Sequence, residues 1–508
     1  MHAATHPQPT QITPISLEAD PAMVLTEWPQ AIALACLISP DPASGQPPNP
    51  HARWSLFTPV GRTITTLQEL SRFPPPVADP RWRPTSHRPD LPPFGPGWIG
   101  MLGYDLGRQL EPRAAFTGAR SQPHAPESSP PPIWLSRCDC ALIFDHHARQ
   151  WWNMSSVSNM PGGSRDEPGG ADWYRDLVPK RRTTSSADAA ATFTLGPLSP
   201  DVPRQTFEAM VQRVLDYIHA GDCYQVNLAH RLRATFDGDA RALTLALLGA
   251  ARPWYGCHLD IHHEGQRWSL AGASPERFLE ISPPHADATR TITTRPMKGT
   301  RRASASDAHA DLISSAKDQA ELAMIVDLMR NDIGRVATLA SVQVSQPRTI
   351  EMHGTGASAL LQSTAAISAT LAPGTTLIDI LKATFPPGSI TGAPKIRAMQ
   401  IIDELEHARR GPYCGSVGYF GDDGSAQLNV AIRSALVTPP RNNTRANHDR
   451  PAHYAQGSSL SYWVGAGIVA DSTPPNEWEE TLAKASAINA VGTGDQGLVT
   501  GGRGRASS

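Results

Sequence analysis

The sequence predicts a fold of mixed helices and strands, because strand-like runs occupy its first part and helix-period runs appear in its second. Ala31–Leu37 and Ala141–Phe144 are short apolar runs between Pro-rich loops, a pattern typical of strands. From Arg204 to Ala220 apolar residues recur at three- and four-residue spacing, as on one face of a helix, and Gly221 supplies a stop. A second amphipathic helix is predicted over Asp318–Gly334.

The length of 508 residues allows about two to four domain-sized units. We predict an N-terminal region over 16–155 and a catalytic region over 200–490. Between them, residues 157–198 are rich in Ser, Gly, Asp, Arg and Ala, which is typical of a linker or a disordered insertion.

Composition excludes several classes of function. With 45 basic and 47 acidic residues, the net charge of -2 gives no reason to expect nucleic acid or an anionic membrane as a partner. The early apolar run Ala31–Ile38 is too short to cross a bilayer, and no signal-peptide pattern precedes it. Six dispersed cysteines favour neither a disulfide framework nor a zinc site. We expect a cytoplasmic protein.

The segment Thr294–Arg302 carries one lysine, Lys298, among three arginines, Arg295, Arg301 and Arg302. Because neighbouring cations disfavour one another's charge, we expect a lowered lysine pKa and a nucleophilic neutral amine. The alternative is a solvated basic turn, since runs of charge are usually hydrated.

Carboxylates on two predicted helices form a candidate metal site. Glu321 borders the apolar stripe of its helix, while Glu477, Glu480 and Lys484 share one face of the helix predicted over Asn476–Lys484. Mg²⁺ typically uses one or two protein carboxylates and fills its remaining positions with water and substrate oxygens. The alternatives are a hydrated Glu321 and a surface ion pair between Glu480 and Lys484.

Two further polar residues have both a functional and a structural interpretation. Glu276 follows a proline directly, and burial would raise its pKa and make it a proton donor. It would otherwise be a turn carboxylate paired with Arg277. Arg433, in the strand-like Leu428–Leu436, is either a clamp for a substrate carboxylate or half of a structural pair.

Three glycine-rich segments differ in what they predict. Gly388–Lys395 precedes a helical run, and the free N–H groups at that helix N-terminus predict an anion-binding site. The glycines of Gly465–Asp471 would let backbone amides approach a ligand, although the spacing of a dinucleotide fingerprint is absent. Gly97–Gly107 is interpreted as close packing of elements, not as a phosphate loop.

Together these residues resemble the chorismate-utilising enzymes over positions 204–488. The matching segments are Gly221–Asn227, Ser274–Arg277, Asp327–Asp332, Gly388–Lys395, Gly415–Phe420, Gly465–Ser472 and Glu477–Lys484. The resemblance implies an α+β fold of two large antiparallel sheets packed face to face, with helices outside.

The resemblance also implies roles for individual residues. Glu321 and Glu480 would bind Mg²⁺, with Glu477 assisting through water. The substrate chorismate would be held by Thr391, Tyr419, Arg433, Gly465, Ala466, Gly467 and Lys484. Lys298 would be the nucleophile, and Glu276 would protonate the leaving hydroxyl.

Within the family, a lysine in the Pro-x-Lys-Gly-Thr loop resembles the members that form 4-amino-4-deoxychorismate for 4-aminobenzoate and folate synthesis. Members that form anthranilate usually carry alanine there. Since the chain has no amidotransferase signature, the resemblance implies a separate glutamine amidotransferase subunit that supplies ammonia. The alternatives are an anthranilate-forming enzyme and a weakly catalytic or non-catalytic subunit that binds a glutaminase.

One departure from the family pattern motivates the second alternative. An ungapped count from Glu321 places the family's active-site histidine at Ser358, and the nearest histidine is His353. We favour the interpretation that this histidine is absent.

Overall fold

The computed structural model describes ten stretches of the 508-residue chain. They are residues 10–39, 52–73, 92–114, 129–155, 173–176, 192–285, 287–303, 307–353, 360–440 and 452–493. The fold and the site below refer to these residues.

The larger sheet contains 13 strands. Its main path, in spatial order, is β1 (Gln11–Ile15), β8 (Gln150–Ser155), β7 (Cys140–Asp145), β3 (Trp54–Pro59), β2 (Leu34–Ile38), β12 (Tyr255–His263), β13 (Gln266–Ser274), β22 (Ser434–Thr438), β23 (His453–Ile468), β11 (Gln225–Asp239) and β10 (Ser199–Pro200). Two short strands, β19 (Gly392–Ala393) and β9 (Phe193–Leu195), also pair with β11.

The smaller sheet contains ten strands. Its path is β16 (Met297–Arg302), β18 (Leu360–Thr370), β15 (Thr291–Arg295), β14 (Arg277–Ile281), β21 (Ala426–Asn429), β20 (Ser416–Gly421), β5 (Gly97–Leu102), β6 (Ile133–Cys138) and β4 (Thr63–Ile64), and β17 (Gln343–His353) pairs with β18. The strand pairs of both sheets run antiparallel, which confirms the predicted fold class.

Eleven α-helices accompany the sheets in the described stretches. They are α1 (Pro21–Glu27), α2 (Leu67–Ser71), α3 (Leu106–Leu110), α4 (Arg204–His219), α5 (Ala240–Ala251), α6 (Ala308–Ser314), α7 (Ala316–Gly334), α8 (Leu377–Thr384), α9 (Lys395–Leu405), α10 (Pro474–Lys484) and α11 (Ser486–Thr493). The buried stripe of α4 runs from Phe207 to Leu215 at helical spacing, as predicted from the sequence.

The main hydrophobic core joins the two sheets. Val226 and Leu228 of the larger sheet and Leu279 and Phe420 of the smaller one belong to the same buried cluster. Each of these side chains is at most 3% exposed. Burying an apolar side chain of this size contributes roughly 1.5–3 kcal/mol, so this shared core holds the sheets against each other.

Both predicted regions contribute strands to both sheets. In the larger sheet β2 pairs with β12, and in the smaller sheet β5 pairs with β20. Gly97–Gly107 is accordingly a packing segment: a Cβ on Gly100 would collide with the backbone of Trp134. The described fold extends N-terminal to the predicted boundary at position 16, since β1 spans Gln11–Ile15.

The segment predicted as a linker, 157–198, is described only at residues 173–176 and from 192 onward. Both pieces are part of the fold. The Trp173 indole N–H donates to Asn153 Oδ1 at 2.8 Å, and β9 pairs with β11. Trp173 belongs to a buried apolar cluster and Phe193 packs against another, while the linker interpretation of the segment as a whole stays a prediction.

Candidate active site

Lys298 projects from a β-bulge in β16. The register between β16 and β18 shifts between Lys298 and Thr300, and Gly299, at the bulge, has a φ of +72°. Side chains rarely adopt that φ, and a Cβ on Gly299 would lie 2.8 Å from both Asp318 Cγ and Leu312 Cδ1. A bulge changes the direction of the adjacent side chain, and here it turns Lys298 away from regular strand alternation.

The surroundings of Lys298 lower its pKa. Burial is the main cause, and the charge of Lys484 acts in the same direction. The charges of Glu321, Glu276 and Glu480 oppose this effect but do not cancel it. The neutral amine is therefore more accessible at a given pH than on an exposed lysine.

For Arg295 and Arg301, the predicted effect on the Lys298 pKa is wrong, and the Arg302 side chain lies outside the described residues. Arg295 forms an ion pair with Glu351. Arg301 forms ion pairs with Asp311 and, at 3.0 Å, with Asp318. Because strand residues alternate between faces and these guanidinium groups are neutralised locally, their closeness in sequence does not bring their charge to Lys298.

Glu276 lies in the turn between β13 and β14 and is only 3% exposed. Burial raises its pKa to about 7, against the opposing effects of a hydrogen bond from Ser389, the charge of Lys298 and the backbone of Met297. The Ser389 hydroxyl donates to Glu276 Oε1 at 2.6 Å. The alternative of a turn pair with Arg277 is wrong, because Arg277 pairs with Glu280 instead.

The three predicted metal-site carboxylates come from two helices. Burial raises the pKa of Glu321 on α7, and the charge of Glu480 on α10 adds to that effect. Burial also raises the pKa of Glu477, whose Oε2 is buried without a hydrogen-bond partner among the described residues. Repelling carboxylates with a partnerless oxygen fit a hard cation such as Mg²⁺. No cluster of three or more His, Cys, Asp or Glu side chains with metal-site geometry occurs in the described stretches, so the fit rests on a carboxylate pair with outer support.

The glycines of β23 form the floor of the site. A Cβ on Gly467 would lie 2.6 Å from Gln225 Nε2 and 3.4 Å from Lys298 Nζ. A Cβ on Gly465 would lie 2.9 Å from the Tyr413 hydroxyl. Past Tyr462 the β22 edge of β23, which includes Ala466, has no strand partner in the described stretches, and Gly465 O on this segment accepts from Lys484 instead.

Two cations border this floor. Lys484 donates from Nζ to Gly465 O at 2.7 Å and to Glu480 Oε1 at 2.7 Å. Arg433 lies just before β22, not inside a strand, and has a positive φ of 52°. Its guanidinium makes no hydrogen bond or ion pair with the described residues, and burial lowers its pKa. An unpaired guanidinium near Glu276 is suited to bind a substrate carboxylate.

The other two predicted substrate ligands lie outside this floor. Thr391 is fully buried, and its hydroxyl donates to Pro387 O at 2.8 Å. Tyr419 is 1% exposed in β20, its hydroxyl donates to Gly95 O, and its ring packs edge-on against Phe94. The Tyr419 side chain belongs to a separate apolar cluster, and its role in substrate binding stays a prediction.

The structure adds two residues that the sequence reasoning missed. The Tyr413 hydroxyl lies over Gly465, 2.9 Å from the position of a Cβ there. Gln225 is 1% exposed, and neither amide atom has a hydrogen-bond partner in the described stretches. Gln225 lies in the matching segment Gly221–Asn227, and Tyr413 lies just before Gly415–Phe420. Only the packing of the folded chain shows which polar side chains of these segments border the site.

Ser358, the position predicted to replace the family's active-site histidine, lies outside the described residues. The backbone of His353 pairs with Leu360 at the end of β17.

Comparison with known proteins agrees with this geometry. The family model for chorismate binding enzymes matches residues 65–490. The chain belongs to the chorismate-binding enzyme family. The matched region contains all the candidate site residues described above, from Gln225 to Lys484.

Relatives with different products match this family member almost equally well. It is 36% identical over 406 residues to aminodeoxychorismate synthase component 1 of Salmonella typhimurium, covering 79% of this chain and 77% of the relative. It is 32% identical over 415 residues to anthranilate synthase component 1 of Aquifex aeolicus, covering 79% and 75%. Overall similarity therefore does not select between these two reactions.

Solved structures support the fold. Anthranilate synthase component I from Streptococcus pneumoniae matches with a TM-score of 0.62 at 25% identity, covering 96% of this chain and 93% of that one. The menaquinone-specific isochorismate synthase MenF of Escherichia coli matches with a TM-score of 0.63 at 15% identity, covering 96% and 95%. In the described stretches, no helix combines the length and apolar character needed to cross a bilayer.

Proposed function

We propose that this protein is component I of an aminodeoxychorismate synthase, which converts chorismate and ammonia to 4-amino-4-deoxychorismate. The observation that carries the proposal is the position of the Lys298 amine. Its Nζ lies 3.4 Å from where a Cβ on Gly467 would be, and the charges of Glu276, Glu321 and Glu480 act on it. A half-buried lysine of lowered pKa is a nucleophile, whereas a small apolar residue at this position could not form a covalent intermediate.

The proposed reaction has two displacements. Neutral Lys298 Nζ bonds to C2 of chorismate, the ring double bonds shift, and the C4 hydroxyl leaves as water with a proton from Glu276. Ammonia then bonds to C4, the double bonds shift back, and Lys298 leaves C2 as a free amine. The new ammonium group returns a proton to Glu276. Two easier substitutions thereby replace one difficult substitution.

Protein groups around the amine divide the remaining tasks. Arg433, Lys484 and the β23 backbone bind the substrate's carboxylates, and the partnerless Gln225 amide accepts or donates a hydrogen bond beside the reacting carbon. Glu321 and Glu480 would hold Mg²⁺, with Glu477 behind them. The ion would neutralise and orient the ring carboxylate.

The deciding experiment is product identification with chorismate, ammonium and MgCl₂. We expect 4-amino-4-deoxychorismate, which an added lyase would convert to 4-aminobenzoate. In a parallel reaction without ammonium, intact-mass analysis should detect chorismate-derived mass on Lys298. Direct release of anthranilate would contradict the proposal.

A glutamine amidotransferase subunit is the proposed source of ammonia, in keeping with the "component 1" designation of the relatives. Adding such a subunit with glutamine should replace ammonium. If the chain stimulated glutamine hydrolysis but never consumed chorismate, the protein would be a non-catalytic glutaminase-binding subunit, the alternative motivated by Ser358.

A further inference from the structure

A continuous stack of side chains borders the glycine floor. Arg231 Cζ lies 5.6 Å from the centre of the Trp463 ring, and the Trp463 and Tyr413 rings are stacked 5.8 Å apart at an angle of 11°. Arg410 Cζ follows, 5.7 Å from the Tyr413 ring and 4.5 Å from the Tyr104 ring. We call these five residues the guanidinium–aromatic stack.

Ion pairs fix the stack on both sides of the two central rings. Arg231 Nε donates to Asp201 Oδ2 at 2.9 Å. Arg410, 2% exposed, donates to both oxygens of Glu406 at 2.9 and 2.6 Å and to Asn227 O at 2.6 Å. Cation–π contacts are attractive and strengthen when the groups are desolvated, so two anchored guanidinium groups limit the movement of the rings between them.

The stack meets the substrate floor at Trp463. Residues two apart in a strand point to the same face, so Trp463, Gly465 and Gly467 share one side of β23. Because the two glycines have no side chains, that face of the strand is open above them, and the Trp463 ring lies at one end of this open space. The Tyr413 ring lies on Trp463 with its hydroxyl over Gly465, so the plane of the indole sets the direction of that hydroxyl.

We propose that Trp463 is a positioning residue that aims the Tyr413 hydroxyl at the substrate carboxylate lying over Gly465. It acts through Tyr413 and touches no reacting atom. Its contribution therefore belongs to substrate binding and not to the displacement at C2 and C4. This inference rests on chorismate as the substrate, but not on which product is formed.

The test begins with Trp463→Leu, which keeps an apolar side chain and removes the stack. Loss of a fixed hydrogen bond predicts a KM and a Kd for chorismate about tenfold higher, with kcat within about twofold of wild type. Trp463→Phe restores a stacking ring and should recover most of the affinity. Chorismate binding by calorimetry without ammonia provides the Kd independently of turnover.

A double-mutant cycle separates positioning from general packing. In a Tyr413→Phe background the hydroxyl is already absent, so Trp463→Leu should add less than about twofold to the Kd. Multiplication of the two single effects, or an unchanged Kd in Trp463→Leu, would overturn the inference.

If Trp463→Leu fails to fold, Arg231→Met tests the same stack from its far side. We expect a Kd about threefold higher in the wild-type background and no change in the Tyr413→Phe background. Equal effects in both backgrounds would again overturn the inference. If the wild-type enzyme made anthranilate instead, the proposed product would be wrong, while these binding results would still decide the role of Trp463.

Discussion

Two buried polar clusters differ in how completely their groups are paired. The first joins α5, β12 and β13 around Asp260, which is fully buried. Its carboxylate accepts hydrogen bonds from Leu34 N at 3.0 Å, Arg241 Nη2 at 3.2 Å and Ser269 Oγ at 3.0 Å, and it contacts His258 Nε2 at 3.1 Å. Burial raises the pKa of Asp260, but the charges of His258 and Arg241 outweigh that effect and hold it well below its ordinary value.

The second cluster is the candidate active site. Glu276 is buried almost as completely, yet its one side-chain hydrogen bond comes from Ser389, and its pKa rises to about 7. The amide of Gln225 and the guanidinium of Arg433 have no side-chain partners among the described residues. Burial alone therefore does not mark function. In the candidate site it is combined with unused hydrogen-bonding capacity around Lys298, which a ligand can take up at a cost in stability.

The largest effect is expected from Lys298→Ala. Without the nucleophile, amination of chorismate should fall by at least about 1,000-fold, and no adduct mass should appear. Stability should change little, since the half-buried amine makes no hydrogen bond with the described residues. Steady-state kinetics and thermal unfolding check both statements, with exposed Lys382→Ala as the control. Turnover equal to that of wild type would rule out a covalent lysine.

Asp260→Asn should have the opposite profile. It leaves the buried Arg241 guanidinium without its countercharge, which predicts a loss of about 3 kcal/mol in the free energy of unfolding. The kcat of the folded fraction should change little. Denaturant unfolding measures the loss, and exposed Asp216→Asn is the matched control. A loss of activity without a loss of stability would contradict the division between the two clusters.

Glu276→Gln should lower kcat/KM by about 100-fold, the range of general acid catalysis. In the wild type, the protonated acid is the active form and its pKa is about 7, so kcat/KM should fall as pH rises past 7. The glutamine variant should lack this decline. A decline that persists in the variant would assign it to another group.

The smallest effect is expected from Gln225→Leu. We expect kcat/KM to drop by about tenfold, as for loss of one hydrogen bond to the substrate. The thermal midpoint should be unchanged or higher, because a buried amide without partners is replaced by an apolar group. Exposed Gln212→Leu is the control. A lower midpoint with normal kinetics would make Gln225 structural.

Much of this arrangement could be predicted from local sequence. Periodicity located α4, and the residues flanking Glu276 and Lys298 marked both as candidates. The face-to-face sheets came from family resemblance, because short apolar runs do not specify their partners. The structure brings Lys298 and Glu276 together with Glu321, Glu480 and Lys484, and their roles remain predictions.

Packing decided what the sequence left open. Tyr413 and Tyr419 are six residues apart in one apolar motif, and both are buried. Tyr413 lies over Gly465, whereas Tyr419 packs against Phe94. Both contacts join residues that are far apart in the sequence, so local sequence does not reveal them. The arginines near Lys298 were misinterpreted for the same reason, since Glu351 and Asp318 neutralise them only in the folded chain.

Because both regions of the chain contribute strands to both sheets, the active site forms only when the whole chain has been made. Groups around the amine span Gln225 to Lys484, and β2 must pair with β12 across more than two hundred intervening positions. Contacts of such long separation form slowly and late. A ribosome-bound or truncated chain that ends before α10 would therefore lack the carboxylates of that helix and a complete active site. Catalytic activity should arise in a single late step of folding.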